Sequence, residues 1–300
     1  MNLFLFLLVG IFGGTTGSLI KYVGQEVPPI LLTSIRFGVS ALLLLPLIFF
    51  YKEKFPKKQW KLLFFSGIAL ATNVMLFATG VQHTSAIMSQ IIYTPTSILV
   101  AIFGYLFLGE KLSKNQMIGL AITIFGMLIL ILGSIENGDI HSFGKPFGNF
   151  LIIIALFCWT AYLVISRKAI QDISPLASTF YNFLVAFVIT LIVMPIESAS
   201  STKSIQVTVP LIIASVLLVT TSTFFIFLYQ RFLKTTSAFS ASLVTYINPI
   251  AAAFVGISVF GERLTPQLLI GALIVFVGVF MATSYDFVRG KIKKTKWIFL

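Results

Sequence analysis

Apolar residues along the chain fall into ten long segments, separated by short clusters of charged and turn-forming residues. Each segment has the roughly 20 residues that an α-helix needs to cross the hydrocarbon core of a bilayer. Helices are expected because lipid offers the backbone no hydrogen-bond partners, and the segments lack the alternation of a membrane β-barrel. The predicted segments are Leu3–Ile20, Ile30–Phe50, Trp60–Gly80, Ser85–Leu108, Asn115–Gly133, Gly148–Ser166, Pro175–Pro195, Val209–Gln230, Ser237–Phe260 and Pro266–Tyr285.

The composition supports this pattern. Of 300 residues, 58% are hydrophobic and only 10% are charged, whereas a soluble domain carries about a quarter charged residues. The predicted fold class is therefore an all-α polytopic membrane protein. A single cysteine, Cys158, excludes an intramolecular disulfide and a cysteine-based metal cluster, and no cofactor or metal is expected. No positive charge precedes the first apolar run at Leu3, so that run is predicted to be a retained helix rather than a cleaved signal peptide.

The distribution of positive charge predicts the orientation in the membrane. Loops on the side of the N-terminus, Lys61 and the C-terminal tail hold 16 Lys and Arg residues, and the opposite loops hold four. By the positive-inside rule both termini are cytoplasmic, in a multi-pass protein of the cytoplasmic membrane. The net charge of +12 thus reflects topology, and no nucleic-acid partner is predicted. The basic tail is expected to lie on the anionic lipid surface.

The chain also contains an internal repeat. A shift of 152 residues matches Gly-Glu-Lys-Leu-Ser at 109–113 with Gly-Glu-Arg-Leu-Thr at 261–265. A shift of 146 residues aligns the starts of the two halves, and there it pairs Arg36 with Asn182. Shared hydrophobicity does not explain the polar and glycine matches. The predicted units are a five-helix repeat over 1–134, a second five-helix repeat over 148–286 and a basic cytoplasmic tail over 287–300.

Five helices per repeat is an odd number, so the second repeat enters the membrane from the opposite side. The two halves are therefore predicted to be inverted repeats. Inverted repeats are typical of secondary transporters, in which the halves rock around a site near the middle of the membrane.

These features resemble the EamA family of the drug/metabolite transporter superfamily. The resemblance rests on the duplicated Gly-Glu-(Lys/Arg)-Leu-(Ser/Thr) motif, the glycine-spaced helix after each copy, Ile35-Arg36-Phe37 and Asn248-Pro249, and it extends over residues 3–285. It implies a ten-helix exporter or importer of small metabolites. Segments one, three, four, six, eight and nine would surround a central cavity, and segments five and ten would be peripheral.

Polar side chains in the fourth and ninth segments are the first candidates for a binding site. Gln90 and Tyr93 lie in the fourth segment, and Tyr246 and Asn248 in the ninth. Pro95 and Pro249 each free a backbone carbonyl one turn earlier, which is typical of the broken helices that bind substrates in transporters. The alternative is ordinary hydrogen bonding between packed helices.

Apart from Lys61 at the start of the third segment, Arg36 is the only formal charge inside a predicted segment. It is either an anion-binding or gating group, or a side chain that extends outward to the membrane surface. Asn73, Trp159 and Tyr162 are expected to complete the lining, although aromatic residues also serve as interface anchors, which is the role predicted for Tyr229.

Several other residues are predicted to be structural. Glu110 and Glu262 fall at opposite membrane faces, so they are expected to cap turns or pair with Lys111 and Arg263 rather than to share a proton. The glycines of the fifth and tenth segments are expected to allow close helix packing. They are Gly119, Gly126, Gly271 and Gly278.

The sequence therefore predicts a secondary transporter that moves a small metabolite or amino-acid-like solute by alternating access, with export as the expected direction. No Gly-x-x-x-x-Gly-Lys-(Ser/Thr) motif is present and no predicted segment contains Asp or Glu, so neither direct use of ATP nor the usual carboxylate relay is expected. A passive channel stays open as an alternative. A lipid-modifying enzyme is disfavoured because the two histidines, His83 and His141, fall in external loops. Homodimer formation is left open.

Overall fold

The computed structural model describes residues 3–54, 57–109, 114–136, 145–200, 205–260 and nine positions between 266 and 281. Within these residues the regular structure is entirely helical. The helices are α1 (Leu3–Val23), α2 (Pro29–Phe50), α3 (Trp60–Val81), α4 (Ala86–Tyr93), α5 (Thr96–Leu108), α6 (Lys114–Glu136), α7 (Pro146–Ala169), α8 (Pro175–Ser200), α9 (Val209–Thr235), α10 (Ala238–Ser242) and α11 (Asn248–Phe260), with a 3₁₀ turn at Leu243–Tyr246. The described positions from 266 to 281 are also helical and are called the last helix.

Seven helical stretches in the described residues are long and apolar enough to cross a membrane. Large apolar side chains cover the outside of the bundle, and Phe4 and Phe254 are 70% and 76% exposed. A soluble protein does not present such a continuous apolar surface to water. The chain is therefore an α-helical, multi-pass membrane protein, as its sequence predicts.

The fourth and ninth apolar segments are each interrupted part-way along their length. The fourth is divided into α4 and α5 at Thr94 and Pro95, and the ninth into α10, the 3₁₀ turn and α11. Proline has no backbone N–H to donate to a helix, and it is tolerated where a helix begins. Accordingly Pro95 is the N-cap residue of α5, and Pro249 is the second residue of α11.

Helices from the first part of the chain pack mainly on helices from the second part. The most extensive pairings are α3 with α7, α2 with α8 and α1 with α9. Small residues allow this approach: a Cβ atom added at Gly148 of α7 would lie 2.8 Å from the carbonyl oxygen of Gly80 on α3.

The last helix packs on α6 through glycine. A Cβ atom at Gly278 would lie 2.7 Å from the carbonyl oxygen of Gly119 and 2.5 Å from Oγ1 of Thr123. Gly126 and Gly271 are buried as well.

Several helices extend a few residues beyond the ends expected from the sequence, and in two of them the extension changes the interpretation. Helix α8 continues past Pro195 to Ser200 and so contains Glu197, which makes the expectation of no Asp or Glu in a membrane segment wrong. The carboxylate of Glu197 accepts hydrogen bonds from the backbone N–H groups of Ile30, at 2.9 and 3.0 Å, and of Leu31, at 3.0 Å. A negative charge at a helix N-terminus is favourable because it compensates the helix dipole. Helix α9 continues to Thr235, which places Tyr229 inside the bundle.

Candidate functional site

A cavity lies in the middle of the bundle, with walls from α1, α2, α3, α4, α7, α9 and α11. Its empty space is about 570 Å³, counting the open space at its mouth. Six of the eight side chains predicted to bind substrate line it. They are Arg36, Asn73, Gln90, Tyr93, Trp159 and Asn248.

Asn73 and Tyr93 are held together on one wall of the cavity. Nδ2 of Asn73 donates a hydrogen bond to the hydroxyl of Tyr93 at 2.5 Å and another to the carbonyl oxygen of Ala155 at 2.7 Å. The ring of Tyr93 packs edge-on against Phe77, with 5.5 Å between their centres. Asn73 thus connects α3 with both α4 and α7, and it fixes the orientation of the Tyr93 hydroxyl.

Two glycines of α1 make room for the two amide side chains of the site. A Cβ atom added at Gly17 would lie 2.5 Å from Nε2 of Gln90, and one at Gly13 would lie 2.7 Å from Oδ1 of Asn248. The sequence pattern Gly13-x-x-x-Gly17 indicates close helix packing. In the structure this close packing is against residues of the cavity itself, so both glycines belong to the site.

The side chain of Arg36 borders the cavity and does not extend to the surface. It is only 4% exposed, and its charged carbon lies 4.9 Å from the centre of the Phe37 ring. Its Nε and Nη1 atoms are buried and have no hydrogen-bond partner. Among the described residues that line the cavity, Arg36 is the only one with a formal charge. The structure therefore presents a buried guanidinium group beside a cavity that contains no carboxylate from these residues.

Aromatic rings form a second wall. Trp159 is stacked on Phe225, with ring centres 5.9 Å apart and planes 18° apart. Tyr229 packs edge-on against Trp159 at 5.6 Å. The indole Nε1 of Trp159 is buried without a hydrogen-bond partner. This wall can pack against the apolar part of a solute.

Tyr162 and Tyr246, the other two predicted binding residues, are buried outside the cavity wall. The hydroxyl of Tyr162 accepts a hydrogen bond from Nε2 of Gln230 at 2.7 Å, and the hydroxyl of Tyr246 shares one with Ser97. Tyr229 is fully buried as well, so the expectation that it is an interface anchor is wrong. Its helix continues for one and a half further turns, and this keeps the ring away from the membrane surface.

Glu110 and Glu262 lie outside the described residues. Within the described residues, no group of three or more His, Cys, Asp or Glu side chains could hold a metal ion. Thr16 and Ser222 also line the cavity and were missed. A hydroxyl side chain in an apolar helix commonly bonds to its own backbone, as Ser222 does with the carbonyl of Val219, so no local pattern marks either residue as part of a site.

Comparison with known proteins identifies the family. The profile of the EamA-like transporter family matches residues 1–132 and 146–284. The Bacillus subtilis (strain 168) protein named "Uncharacterized transporter YyaM" is 27% identical over 292 residues, which cover 95% of this chain and 94% of that protein. The Salmonella typhimurium protein named "Probable amino-acid metabolite efflux pump" is 24% identical over 297 residues, which cover 93% of each chain.

A solved crystal structure shares the fold. It superposes with a TM-score of 0.72 over 94% of this chain and 96% of the other, at 15% sequence identity. At this identity the likeness concerns the fold alone. The family profile covers nearly the whole sequence, and from this match we conclude that the chain belongs to the EamA-like transporter family.

Proposed function

We propose that the protein is a secondary transporter that exports a small metabolite or amino-acid-like solute across the cytoplasmic membrane by alternating access. The observation that carries this proposal is the central cavity, which combines hydrogen-bonding side chains with an aromatic wall and is bounded by helices from both parts of the chain. The name of the Salmonella relative supports both the class of solute and the direction.

The proposal includes ten membrane segments arranged as two inverted five-helix repeats. The pairing of helices supports this arrangement. If the second half is the first half rotated about an axis in the membrane plane, α1 corresponds to α7, α2 to α8 and α3 to α9. The pairings of α3 with α7 and of α1 with α9 then become copies of one contact, and α2 pairs with its own counterpart. The two ranges matched by the family profile also support a duplication.

In the proposed orientation both termini are cytoplasmic and the cavity faces outward. Its lining residues lie in the middle of α7 and α9 and in the later part of α1, the part that leads to the external side. Toward the cytoplasm the bundle is closed by a layer of fully buried side chains, which we call the inner layer: Tyr162, Ser166, Tyr229 and Gln230. Below it, Arg167 donates a hydrogen bond to the carbonyl oxygen of Leu233 at 3.0 Å, and Lys234 donates one to that of Ile173 at 2.8 Å. Alternating access requires this inner layer to open as the external side closes.

Counterflow in liposomes tests whether the protein is a carrier. A carrier preloaded with unlabelled solute accelerates the entry of labelled solute, and the rate saturates. A passive channel gives flux that neither saturates nor responds to solute on the other side. A panel of amino acids and related small metabolites that produced no counterflow would contradict the proposal.

Cysteine labelling tests the orientation and the outward-facing cavity. With Cys158 replaced by Ser, the substitution Lys145→Cys is expected to react with an impermeant thiol reagent from outside, and Lys168→Cys only from inside. Both side chains are exposed in the structure. The substitution Ser222→Cys should react from outside and be protected by solute. Thr220→Cys is the control, because it lies on the side of α9 that faces away from the bundle, and it should not react. Reaction of Lys145→Cys and Lys168→Cys from the same side would refute the proposed topology.

A further inference from the structure

We propose that the transported solute carries a single carboxylate group, which Arg36 binds, and that its body is apolar and packs on the aromatic wall. This inference rests on the proposed function and adds the chemical class of the solute. It begins from the guanidinium group of Arg36, which borders the cavity with two buried nitrogen atoms that have no hydrogen-bond partner.

A buried guanidinium group without partners is energetically unfavourable. Charges inside a membrane protein usually pair with one another or with backbone carbonyls, because each unsatisfied donor costs free energy. Arg36 lacks both kinds of partner at Nε and Nη1, and the cation–π contact with Phe37 replaces only part of the lost hydration. An anion that enters the cavity can supply the missing acceptors.

The repeat provides an independent argument that the fold itself does not require the charge. A shift of 146 residues pairs Arg36 with Asn182. Asn182 is fully buried, and its Oδ1 accepts a hydrogen bond from the hydroxyl of Ser66 at 2.6 Å. A neutral amide is therefore sufficient at the equivalent position of the packed bundle. The charge is present only at the copy that borders the cavity, which points to a ligand as the reason for it.

The lining selects a carboxylate among anions. The planar fork of an arginine matches the two oxygens of a carboxylate in a bidentate pair. A phosphate monoester carries close to two negative charges, and a single guanidinium group leaves one of them uncompensated in a cavity with no second cation among its described lining residues. The stacked rings of Trp159 and Phe225 provide apolar surface for the remainder of the solute.

Asn248 presents an unpaired hydrogen-bond acceptor, whereas Arg36 presents unpaired donors. The Oδ1 atom of Asn248 borders on α1 at Gly13 and has no hydrogen-bond donor. It can accept a hydrogen bond from an amino or hydroxyl group of the solute. Zwitterionic amino acids and hydroxy acids share the carboxylate and differ in this second group, so the experiment includes both.

Thermal unfolding of the purified protein in detergent tests the inference without requiring transport, because a ligand that binds the folded state raises Tm. The probes are matched acid and amide pairs: L-leucine with L-leucinamide, 2-hydroxy-4-methylpentanoate with its amide, and phenylacetate with phenylacetamide. At least one acid is expected to raise Tm, with a dissociation constant about 10- to 100-fold lower than that of its amide. Stabilisation by L-leucine indicates a zwitterionic solute, and stabilisation by the hydroxy acid or phenylacetate indicates a simple anion.

Variants of Arg36 separate a ligand-binding role from a structural one. Arg36→Gln should abolish stabilisation by the acid, and Arg36→Lys should retain part of it. Without ligand, Arg36→Gln should unfold at the same temperature as the wild type or higher, because it removes an unpaired buried charge. Lys145→Gln, which removes an exposed charge, is the matched control and should leave acid binding unchanged.

Three outcomes would overturn the inference: equal stabilisation by acids and amides, equal stabilisation by chloride or sulfate, or an unliganded Arg36→Gln variant that unfolds well below the wild type. These outcomes are distinct from failure of the proposed function. Saturable counterflow of amides would contradict the proposal that the solute is a carboxylate, but it would still support a carrier. Binding of acids without counterflow of any solute would retain the anion site and refute transport.

Discussion

The glycines of α1 allow a sharp separation of effects on the site from effects on the fold. A Cβ atom at Gly17 would lie 2.5 Å from Nε2 of Gln90, and its next neighbour is Phe77 at 3.5 Å. The atom that must move is the end of a flexible side chain, and a shift of about 1 Å restores an ordinary contact. A Cβ atom at Gly14 would instead meet the backbone carbonyl of Asn248 and, at 2.6 Å, the Cβ atom of Ala251. There the backbone of α11 has to move.

The two alanine substitutions are therefore expected to have different effects, one mainly on KM and the other mainly on stability. Gly17→Ala should change the unfolding free energy by less than about 1 kcal/mol, since the higher helix propensity of alanine offsets the displacement of Gln90. It should raise the KM of counterflow, because the amide moves away from its place on the cavity wall. Gly14→Ala should destabilise the protein by about 1–3 kcal/mol, the usual range for overpacking.

Thermal unfolding in detergent and KM measured by counterflow provide the two readouts. Gly109→Ala is not a suitable control, because Gly109 has a left-handed backbone conformation with φ of 66°. Thr220→Ala on the exposed face of α9 is suitable, and it should change neither value. The reasoning fails if Gly17→Ala destabilises as strongly as Gly14→Ala, or if it leaves KM unchanged.

Three further substitutions test individual contacts. Glu197→Gln removes the charge at the N-terminus of α2 and should lower stability by up to about 1 kcal/mol in thermal unfolding, whereas exposed Glu26→Gln should have no effect. Asn73→Ala leaves the Tyr93 hydroxyl without its donor, so it should raise the KM of counterflow and lower stability by about 1–3 kcal/mol. An unchanged KM would show that the wall formed by Asn73 and Tyr93 does not bind the solute. Tyr162→Phe removes the acceptor for Gln230 in the inner layer, so it should increase the rate of exchange in single-turnover counterflow while solute affinity stays the same.

The apolar segments and the two helix breaks could be predicted from the sequence because strong local signals carry them. Continuous hydrophobic runs specify membrane helices, and a proline among polar residues specifies an interruption. The breaks occur where Pro95 and Pro249 predict them. Proline is ambiguous elsewhere: Pro195 is inside α8, where the helix continues to Glu197, because proline is tolerated in membrane helices.

The direction in which a side chain points could be predicted only in part. Trp159 and Tyr162 are three residues apart on α7, less than one turn, and yet only Trp159 lines the cavity. The difference depends on the neighbour that each ring meets on α9, which the local sequence does not encode. Likewise Arg231 and Lys234 led to an early end for the eighth segment, although long basic side chains are common in the last turn of a membrane helix, and this error misplaced Tyr229.

The interruption between α4 and α5 separates two tasks that one continuous helix would have to combine. The eight residues of α4 carry Gln90 and Tyr93 to the cavity, while α5 presents Tyr105 and Phe107, 63% and 68% exposed, at the outer boundary of the bundle. Because the segment is divided, a change of sequence in the short helix α4 leaves the contact of α5 with the surrounding lipid unchanged. Evolution can thus adjust what the molecule recognises through one brief stretch of chain, without rebuilding the part that anchors it.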